Sequence, residues 1–338
     1  MILVTGGTGL VGSHLLYYLV KSGRFVRAIH RVSSDLEAVK KVFLYHSSEG
    51  DQLFHRIEWF EADIRKIPSL SNAFEGIEYV YHAAAFISFN PDHYQSLKKT
   101  NTEGTANVVN LCLKNKVKKL CYVSSVATLG FSIDGNPIDE ETEFDSESKQ
   151  NVYALTKFRA EIEVWRGTQE GLDAVIVLPG VILGGGLPSS VKTSSNRILK
   201  SISKGLSFYT PGSTGIVDVR DVSQVMISLM NSEIKNEKYI LVSKNIHYKD
   251  LISQLALLLH KKPPSKEISM NRMFLLSYLD RFSNKFFRTK RRLLKAMIPS
   301  LYTEAIYHSG KIKEELNYEF IPYTQTLKAI VKDYSKEL

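Results

Sequence analysis

The glycine-rich segment TGGTGLVG, residues 5–12, constrains the fold of this chain more than any other part of its sequence. It follows the short apolar run MILVT and opens a segment in which Val11, Leu15 and Leu19 recur at helical spacing. The next segment, FVRAIH, has the pattern of a second strand. A strand, a glycine turn, a helix and a strand in this order indicate the first βαβ unit of a parallel sheet.

The same glycine turn fits both a GxGxxG and a GxxGxxG pattern. In both patterns, glycine lets the backbone approach a pyrophosphate closely, and the first turn of the following helix provides N–H donors and partial positive charge. The preceding strand and the following helix provide the context that this motif requires. We therefore predict a dinucleotide site in which the pyrophosphate contacts Gly6, Gly9, Leu10, Val11 and Gly12.

Predicted strands and helices alternate through the first 180 residues without hairpin signals. The predicted strands after the first two are RIEWFEAD, EYVYHAAA, KKLCYVSSVA and LDAVIVLPG, and the predicted helices include LSNAFEG, NTEGTANVVNLCLKN and residues 151–170. Such alternation predicts an α/β fold, a Rossmann-type doubly wound parallel sheet.

The composition changes after Gly180, where GVILGGGLPSS is rich in Gly, Pro and Ser. GIVDVRDVSQVMISLM and YILVS return to strand and helix patterns, and the remainder is helical, basic and aromatic. We expect an NAD(P)-binding domain of residues 1–180 plus 216–244. Residues 181–215 plus 245–338 would form a smaller, mostly helical substrate lobe, and the length of 338 residues suffices for both.

The end of the second predicted strand bears on the choice between NAD and NADP. An NAD site usually has an acidic residue there, which binds the ribose 2′-OH. This chain has His30 and Arg31 instead, and a guanidinium suits a 2′-phosphate. NADP is therefore the favoured cofactor. In the alternative, Arg31 is a surface residue, Asp35 reaches the ribose, and NAD is the cofactor.

Three motifs in sequence order, TGGTGLVG, VSSVATLG and YALTK, resemble the extended short-chain dehydrogenase/reductases. HAAA (82–85), NTEGT (101–105), LPGVILGGG (178–186) and GIVDVRDV (215–222) also follow the family order. The resemblance extends over most of the chain. It is strongest to the NAD-dependent epimerase/dehydratase branch, in particular to its dihydroflavonol-reductase-like and 3β-hydroxysteroid-dehydrogenase-like members.

The resemblance implies roles for individual residues. Catalysis would be carried out by Ser125, Tyr153 and Lys157, the last two forming the YxxxK motif. Beyond the glycine turn, the implied cofactor contacts are Arg31, Asp63 and Ile64 at the adenine end, Ala83, Ala84, Ala85, Asn101 (structural or cofactor-positioning), Ser124 facing the cofactor, Tyr153, Lys157, Pro179 and Val181. The family commonly has a proline in the segment occupied here by Gly184–Gly186, so we expect a flexible loop there.

The implied chemistry is proton transfer beside a hydride-donating cofactor. A phenol has a reference pKa near 10, and a neighbouring ammonium favours its ionised form. Lys157 lies one helical turn from Tyr153 and would also bind the nicotinamide ribose. Ser125 would bind the substrate oxygen, and Tyr153 would donate a proton to a ketone or aldehyde, or accept one from a secondary alcohol.

Two other functions are compatible with these motifs. An NAD-dependent nucleotide-sugar epimerase or dehydratase has the same triad and recycles a tightly bound NAD. A non-catalytic NAD(P)-binding sensor usually lacks the Tyr or the Lys, and both are present here. The chain contains no GxSxG, HExxH or GxxxxGK[ST] motif and no metal-ligand spacing. We expect His82 to be a hydrogen-bonded core residue.

The net charge of +9 is distributed unevenly. Between residues 270 and 300, eight Lys or Arg residues accompany a single acid, Asp280. We expect either a basic helical face over the substrate lobe or peripheral contact of this segment with an anionic membrane. Nucleic-acid binding is not expected, because no recognition motif accompanies the charge.

The sequence also bears on the cellular setting and the assembly. The two cysteines, Cys112 and Cys121, suggest no disulfide framework, and MILVTGG does not resemble a signal peptide. A reducing, cytoplasmic location is therefore expected. The family resemblance also implies a homodimer through the helix that contains Tyr153.

Overall fold

The computed structural model describes residues 1–130, 135–145, 151–191, 193–287 and 293–337. The strands are β1 Ile2–Thr5, β2 Val26–His30, β3 Glu58–Glu61, β4 Tyr79–His82, β5 Lys119–Val123, β6 Ala174–Pro179, β7 Val181–Leu183, β8 Phe208–Tyr209, β9 Ser213–Asp218, β10 Glu237–Leu241, β11 Lys244–His247 and β12 Lys266–Glu267. The α-helices are α1 Leu10–Lys21, α2 Leu36–His46, α3 Gly50–Phe54, α4 Ile67–Ala73, α5 Tyr94–Leu97, α6 Gly104–Lys114, α7 Val152–Gln169, α8 Ser194–Ser203, α9 Val219–Asn231, α10 Tyr248–Leu258, α11 Met270–Phe287, α12 Gly310–Leu316 and α13 Tyr323–Ser335.

Seven strands form one parallel sheet in the order β3-β2-β1-β4-β5-β6-β10. Every residue of β1 and of β6 is buried, as expected for strands that are covered by helices on both faces. Alternate side chains pack on α1, α2 and α9 on one face and on α4, α6 and α7 on the other. The predicted doubly wound Rossmann-type sheet is confirmed.

The strand order reverses between β1 and β4, which pair in parallel from Ile2 with Tyr79 to Thr5 with His82. In open α/β sheets, ligands bind outside the carboxyl ends of the strands at such a reversal. The glycine turn follows β1 there, and the three alanines of HAAA follow β4. The fold therefore creates a crevice bordered by these two segments.

One strand lies elsewhere than expected. Because residues 216–244 were assigned to the NAD(P)-binding domain, we expected their strands to extend its parallel sheet, but β9 pairs with β7 and β11 in a separate three-stranded sheet. Only β10 reaches the main sheet, where Glu237–Leu241 pairs with Val175–Pro179. Gly180, whose N–H donates to Leu241, ends β6 and directs β7 away from the sheet.

The smaller lobe has its own apolar core between α8, α10 and α13. Leu199, Leu255 and Leu327 lie within this core and are buried. The last part of the chain also returns to the main sheet, since Ile312 of α12 packs in the core beside α9. Within the described ranges, no helix is both long and apolar enough to span a bilayer.

Candidate active site

The glycine turn is held against the end of β4. Gly6 has a positive φ of 72°, a backbone conformation that residues other than glycine rarely adopt. A Cβ at this position would lie 2.5 Å from the backbone nitrogen of Ala84. It would also lie within 2.7 Å of the backbone oxygen of Ala83. Ala83 and Ala84 are partly buried and Ala85 is exposed. The structure therefore brings together the two backbone segments that were predicted to border the cofactor.

The first turn of α1 leaves backbone donors available at this crevice. A Cβ on Gly12 would lie only 2.1 Å from the Gly6 carbonyl oxygen, so the helix can begin this close to the turn only with glycine there. Gly9 is the N-cap residue and has no side chain to accept from the first amides, which include those of Leu10 and Val11. This helix N-terminus has no side-chain cap, and it lies in a space that a Cβ would fill. Both features are suited to binding a pyrophosphate.

Tyr153 and Ser125 face each other across the end of β5. Tyr153 lies in the first turn of α7, which begins at an Asn151 cap that accepts from Ala154 N–H at 2.9 Å. Burial raises the pKa of Tyr153 to about 12, and the neighbouring Ser125 hydroxyl acts in the opposite direction. The ring of Phe89 meets that of Tyr153 edge-on at 5.6 Å between centroids. The phenol is therefore protonated at neutral pH in the protein alone.

Lys157 is one turn further along α7, on the same face, and is only 1% exposed. Its ammonium donates to the Tyr122 hydroxyl at 2.5 Å and to the Val123 carbonyl at 2.7 Å. Burial lowers its pKa to about 7, and the carboxylate of Glu161 acts in the opposite direction. A lysine ammonium has three N–H donors, so one remains for a further acceptor.

Buried polar side chains extend from Lys157 back to the end of β1. Burial raises the pKa of Tyr122 and the nearby Thr105 side chain acts in the opposite direction, and Thr105 Oγ1 lies 2.9 Å from His82 Nε2. His82 Nδ1 in turn lies 2.6 Å from Thr5 Oγ1, and burial lowers the pKa of His82 to about 3. His82 is therefore a neutral, hydrogen-bonded core residue.

Ser124 does not present its hydroxyl where the resemblance implied. We expected this hydroxyl to face the cofactor, but it is buried and donates to the Glu161 carboxylate. Burial raises the pKa of this carboxyl group, and the side chains of Ser124 and Thr128 act in the opposite direction. A buried carboxylate requires such donors, and this requirement accounts for the inward orientation of Ser124.

Asn101 lies in a six-residue π-helix, Lys98–Glu103, and is buried. Its side chain accepts from Phe86 N–H at 2.8 Å and donates to the Phe86 carbonyl at 3.0 Å. It also donates to Thr156 Oγ1 at 3.2 Å, which connects the segment after β4 to α7. Of the two roles that the sequence left open, these contacts provide the structural one.

The expected adenine end lies at the carboxyl ends of β2 and β3. Arg31 is exposed there. The hydrogen bonds from Arg65 are the main cause of the lowered pKa of Asp63, and the charge of Arg31 adds to this effect. Ile64 is buried and packs against Gly104. Asp35, the alternative ribose ligand, caps α2 and accepts from Ala38 N–H at 3.0 Å.

Pro179 ends β6 and is buried, and Val181 begins β7 and is partly buried. The glycine segment after β7 is not the flexible loop that the sequence suggested, because three elements hold it. The Gly184 N–H donates to Ser195 Oγ at 2.9 Å, and the Gly186 N–H donates to Asp333 Oδ2 at 2.6 Å.

The third anchor of this segment comes from α1. The Gly185 carbonyl can only accept, so His14 Nε2, at 3.1 Å, is the donor in this contact. His14 Nδ1 is then the acceptor for His46 Nε2, at 2.8 Å. Burial lowers the pKa of His14 to about 4 and that of His46 to about 3, so both rings are neutral at pH 7.

Sequence reasoning missed Tyr122, Glu161 and the histidine pair. Glu161 repeats the spacing of Tyr153 and Lys157 along α7, and this signal was available in the sequence. Tyr122 directly precedes VSS in β5 but lies in an apolar strand, where a tyrosine is ordinary core. His46 is 32 positions from His14, and no local pattern connects them.

Comparison with known proteins identifies the family of this chain. The model of the NAD dependent epimerase/dehydratase family matches residues 2–241. Tetraketide alpha-pyrone reductase 1 of Arabidopsis thaliana is 30% identical, over 80% of this chain and 85% of its own length. Anthocyanidin reductase of the same plant is 31% identical, over 72% of this chain and 75% of its own length.

A solved structure shows the same fold at lower identity. UDP-glucose 4-epimerase of Thermotoga maritima, solved with UDP-glucose, superposes with a TM-score of 0.76 at 19% identity, over 99% of this chain and 98% of its own. The described fold, the family match and the named reductases lead to one conclusion. This chain belongs to the NAD-dependent epimerase/dehydratase family of extended short-chain dehydrogenase/reductases and is an NAD(P)-dependent oxidoreductase.

Proposed function

We propose that this protein is an NADPH-dependent reductase of a ketone or aldehyde, acting through Ser125, Tyr153 and Lys157. The observation that carries the proposal is the proximity of the Tyr153 and Ser125 side chains after the end of β5, beside the crevice between β1 and β4. The two hydroxyls can contact one substrate oxygen, as stabilisation and protonation of a carbonyl require.

A bound nicotinamide cofactor supplies the hydride. Ser125 would hold the substrate carbonyl oxygen by a hydrogen bond, and Tyr153 would transfer its phenolic proton to that oxygen as it becomes a hydroxyl. Lys157 has one N–H donor that is not used by Tyr122 or Val123, and this donor would bind the nicotinamide ribose. The positive charge of Lys157 would stabilise the phenolate left on Tyr153. The same groups, in reverse, would remove the proton of a secondary alcohol.

The protonation state of Tyr153 matches the start of carbonyl reduction. Burial raises the pKa of Tyr153 to about 12, so the phenol carries its proton at neutral pH. Alcohol oxidation needs the phenolate instead, and Lys157, whose pKa is lowered to about 7, is only partly charged there. The phenol therefore begins the catalytic cycle in the form that carbonyl reduction uses.

NADP is the cofactor that the adenine end favours. Asp35, the residue that would select NAD, is occupied as the cap of α2, and the Arg31 guanidinium is exposed at the end of β2. Asp63 is paired with Arg65 at 2.6 Å, so its negative charge would be compensated near a 2′-phosphate.

A nucleotide-sugar epimerase or dehydratase is the alternative, with the same triad and a tightly bound NAD. The named relatives near 30% identity are reductases, whereas the likeness to the epimerase, at 19% identity, extends to the fold alone. Purification distinguishes the two functions. A copurifying NAD that does not exchange would contradict the reductase proposal.

The setting proposed for this enzyme is the cytoplasm, because both cysteines are buried and unpaired, as in a reducing compartment. A homodimer through α7 is also proposed, since Ile162 on that helix is an exposed apolar residue. Light scattering of the purified protein measures the assembly, and a monomeric mass at all concentrations would rule out the dimer.

The experiment that tests the function combines a cofactor titration with a carbonyl substrate panel. NADPH should bind more tightly than NADH and should be oxidised when a carbonyl substrate is added. The variant Tyr153→Phe should lose roughly 10²- to 10⁴-fold in turnover, the range for removal of a general acid, and should retain NADPH binding. Turnover by Tyr153→Phe equal to the wild type would overturn the catalytic assignment.

A further inference from the structure

Helix α11 turns two polar residues, Ser277 and Asp280, towards the protein and exposes most of its large apolar residues to solvent. Ser277 is only 4% exposed and donates to the Leu293 carbonyl at 3.3 Å. Asp280, one turn later, accepts from Leu293 N–H at 3.2 Å. A surface helix of a globular protein normally has the opposite arrangement.

The outer side of α11 forms a continuous apolar stripe. Leu275, Leu279, Phe282 and Phe286 follow at helical spacing on one side of the helix, and Leu279 and Phe282 are each 55% exposed. The Phe282 and Phe286 rings contact each other at 4.3 Å between centroids. Leu276 and Tyr278 are also exposed and widen the stripe. Apolar surface of this extent on one helix indicates a binding surface.

Basic residues flank the stripe. Arg272 and Arg281 are exposed on α11, and Lys295 lies 5.7 Å above the ring of Tyr278. Arg288, Lys290, Arg291 and Arg292 follow the helix in the sequence but lie outside the described residues. Over residues 270–300, eight basic residues accompany a single acid. The partner of this surface must therefore accommodate the positive charges of the described residues Arg272, Arg281 and Lys295.

We propose that α11 docks in the plane of an anionic lipid bilayer, with its leucine and phenylalanine stripe at the acyl boundary and its basic residues at the headgroups. An amphipathic helix with flanking Lys and Arg is the structure that binds such an interface. A second copy of this chain fits less well, because a two-fold interface would place the same basic residues opposite each other. Docking in the interface plane does not depend on the proposed reaction.

The test uses the full purified chain and flotation with phosphatidylcholine vesicles, with and without 30% phosphatidylglycerol. We expect at least tenfold more protein on the anionic vesicles at low salt, and a marked loss of binding at high salt. The double variant Leu279→Glu/Phe282→Glu should lose at least tenfold in vesicle binding. The double variant Arg272→Glu/Arg281→Glu should lose the preference for anionic lipid.

The matched control is Leu257→Glu, on α10, where the leucine is 62% exposed but belongs to no stripe. This variant should bind vesicles like the wild type, and circular dichroism should show that all variants are folded. Absence of flotation by the wild type, or equal binding by Leu279→Glu/Phe282→Glu, would overturn the proposal. So would a wild-type dimer that dissociates in the same double variant while vesicles bind neither protein, because the stripe would then be an interface between copies.

Discussion

The Lys157 ammonium donates to the hydroxyl of Tyr122 at 2.5 Å, which ties the lysine of α7 to strand β5. The ammonium also lies 4.2 Å from the centre of the Tyr122 ring, so the same residue provides an acceptor and a π face. Since Lys157 is fully surrounded by protein, these contacts replace the water that its charge would otherwise require. Tyr122 is therefore a positioning residue for Lys157.

The first prediction concerns Tyr122→Phe. Loss of the hydroxyl removes one of the two acceptors of Lys157, and a hydrogen bond to a charged group contributes roughly 1.5–3 kcal/mol. We expect kcat/KM to fall about ten- to hundredfold, which corresponds to that range, and NADPH affinity to fall with it. Steady-state kinetics and cofactor titration measure both.

The matched control is Tyr17→Phe, a buried tyrosine in the core between α1 and α2, on the opposite face of the main sheet from α7. Its kinetics should stay close to those of the wild type. If Tyr122→Phe had the same kinetics as Tyr17→Phe, Tyr122 would not be a positioning residue for Lys157.

The second prediction concerns Glu161→Gln. The carboxylate raises the pKa of Lys157, and burial lowers it, so removing the negative charge should lower this pKa below about 7. Lys157 loses its positive charge as the pH rises through its pKa. The decline of kcat/KM towards alkaline pH should therefore begin at a lower pH in the variant than in the wild type.

Glu163→Gln, on the same helix, is the control for this profile. Glu163 forms a surface ion pair with Arg166 at 2.9 Å. Removing the charge of Glu163 should leave the pH dependence of kcat/KM unchanged. A Glu161→Gln profile that coincides with that of the wild type, or moves to higher pH, would contradict the electrostatic role of Glu161.

The sequence was sufficient to predict the parts of the site that depend on local patterns. The glycine turn and the Tyr153–Lys157 spacing each lie within a short segment, and both carry their own geometry because a turn and a helix are local structures. The family resemblance then implied that both motifs contact the cofactor. The parallel sheet itself followed from the alternation of buried strands and helices.

The missed contacts join residues that are distant in the sequence. Tyr122 is separated from Lys157 by 35 positions, and His14 is separated from Gly185 by 171. Periodicity cannot indicate such pairs. The predicted flexibility of Gly184–Gly186 was wrong for the same reason, since glycine content is local while the anchors Ser195, Asp333 and His14 come from three other elements.

The third prediction concerns Arg31→Ser and the choice of cofactor. If Arg31 binds the 2′-phosphate, its loss should weaken NADPH binding roughly tenfold or more, the effect of one charge-assisted hydrogen bond, and leave NADH binding unchanged. Isothermal titration with both cofactors measures the ratio. Arg24→Ser is the control, because Arg24 is also exposed but precedes β2 at the opposite end of the strand. Equal losses for NADPH and NADH in Arg31→Ser would argue against a 2′-phosphate site.

The fourth prediction concerns acid stability and the histidine pair behind the glycine segment. Burial lowers the pKa of His14 to about 4 and of His46 to about 3, while an unfolded histidine has a pKa near 6.5. Above pH 6.5 both histidines are unprotonated, in the folded protein as well as in the unfolded chain. Below it the unfolded chain takes up protons that the folded protein does not, so stability is lost as the pH falls from about 6.5 towards 4. Each histidine contributes up to about 1.4 kcal/mol per pH unit.

The variant His46→Phe separates this effect from other acid-sensitive groups, which include the Asp218–Arg220 pair near both rings. Phenylalanine retains the aromatic stacking on Tyr17, at 4.3 Å between centroids, but cannot take up a proton. We expect a lower free energy of unfolding at pH 7.5, because His14 loses its hydrogen-bond donor, and a shallower decline between pH 6.5 and 5. Urea unfolding at several pH values measures both, with the exposed His55→Asn as control. A decline as steep as that of the wild type would mean that His46 is not neutral in the folded protein.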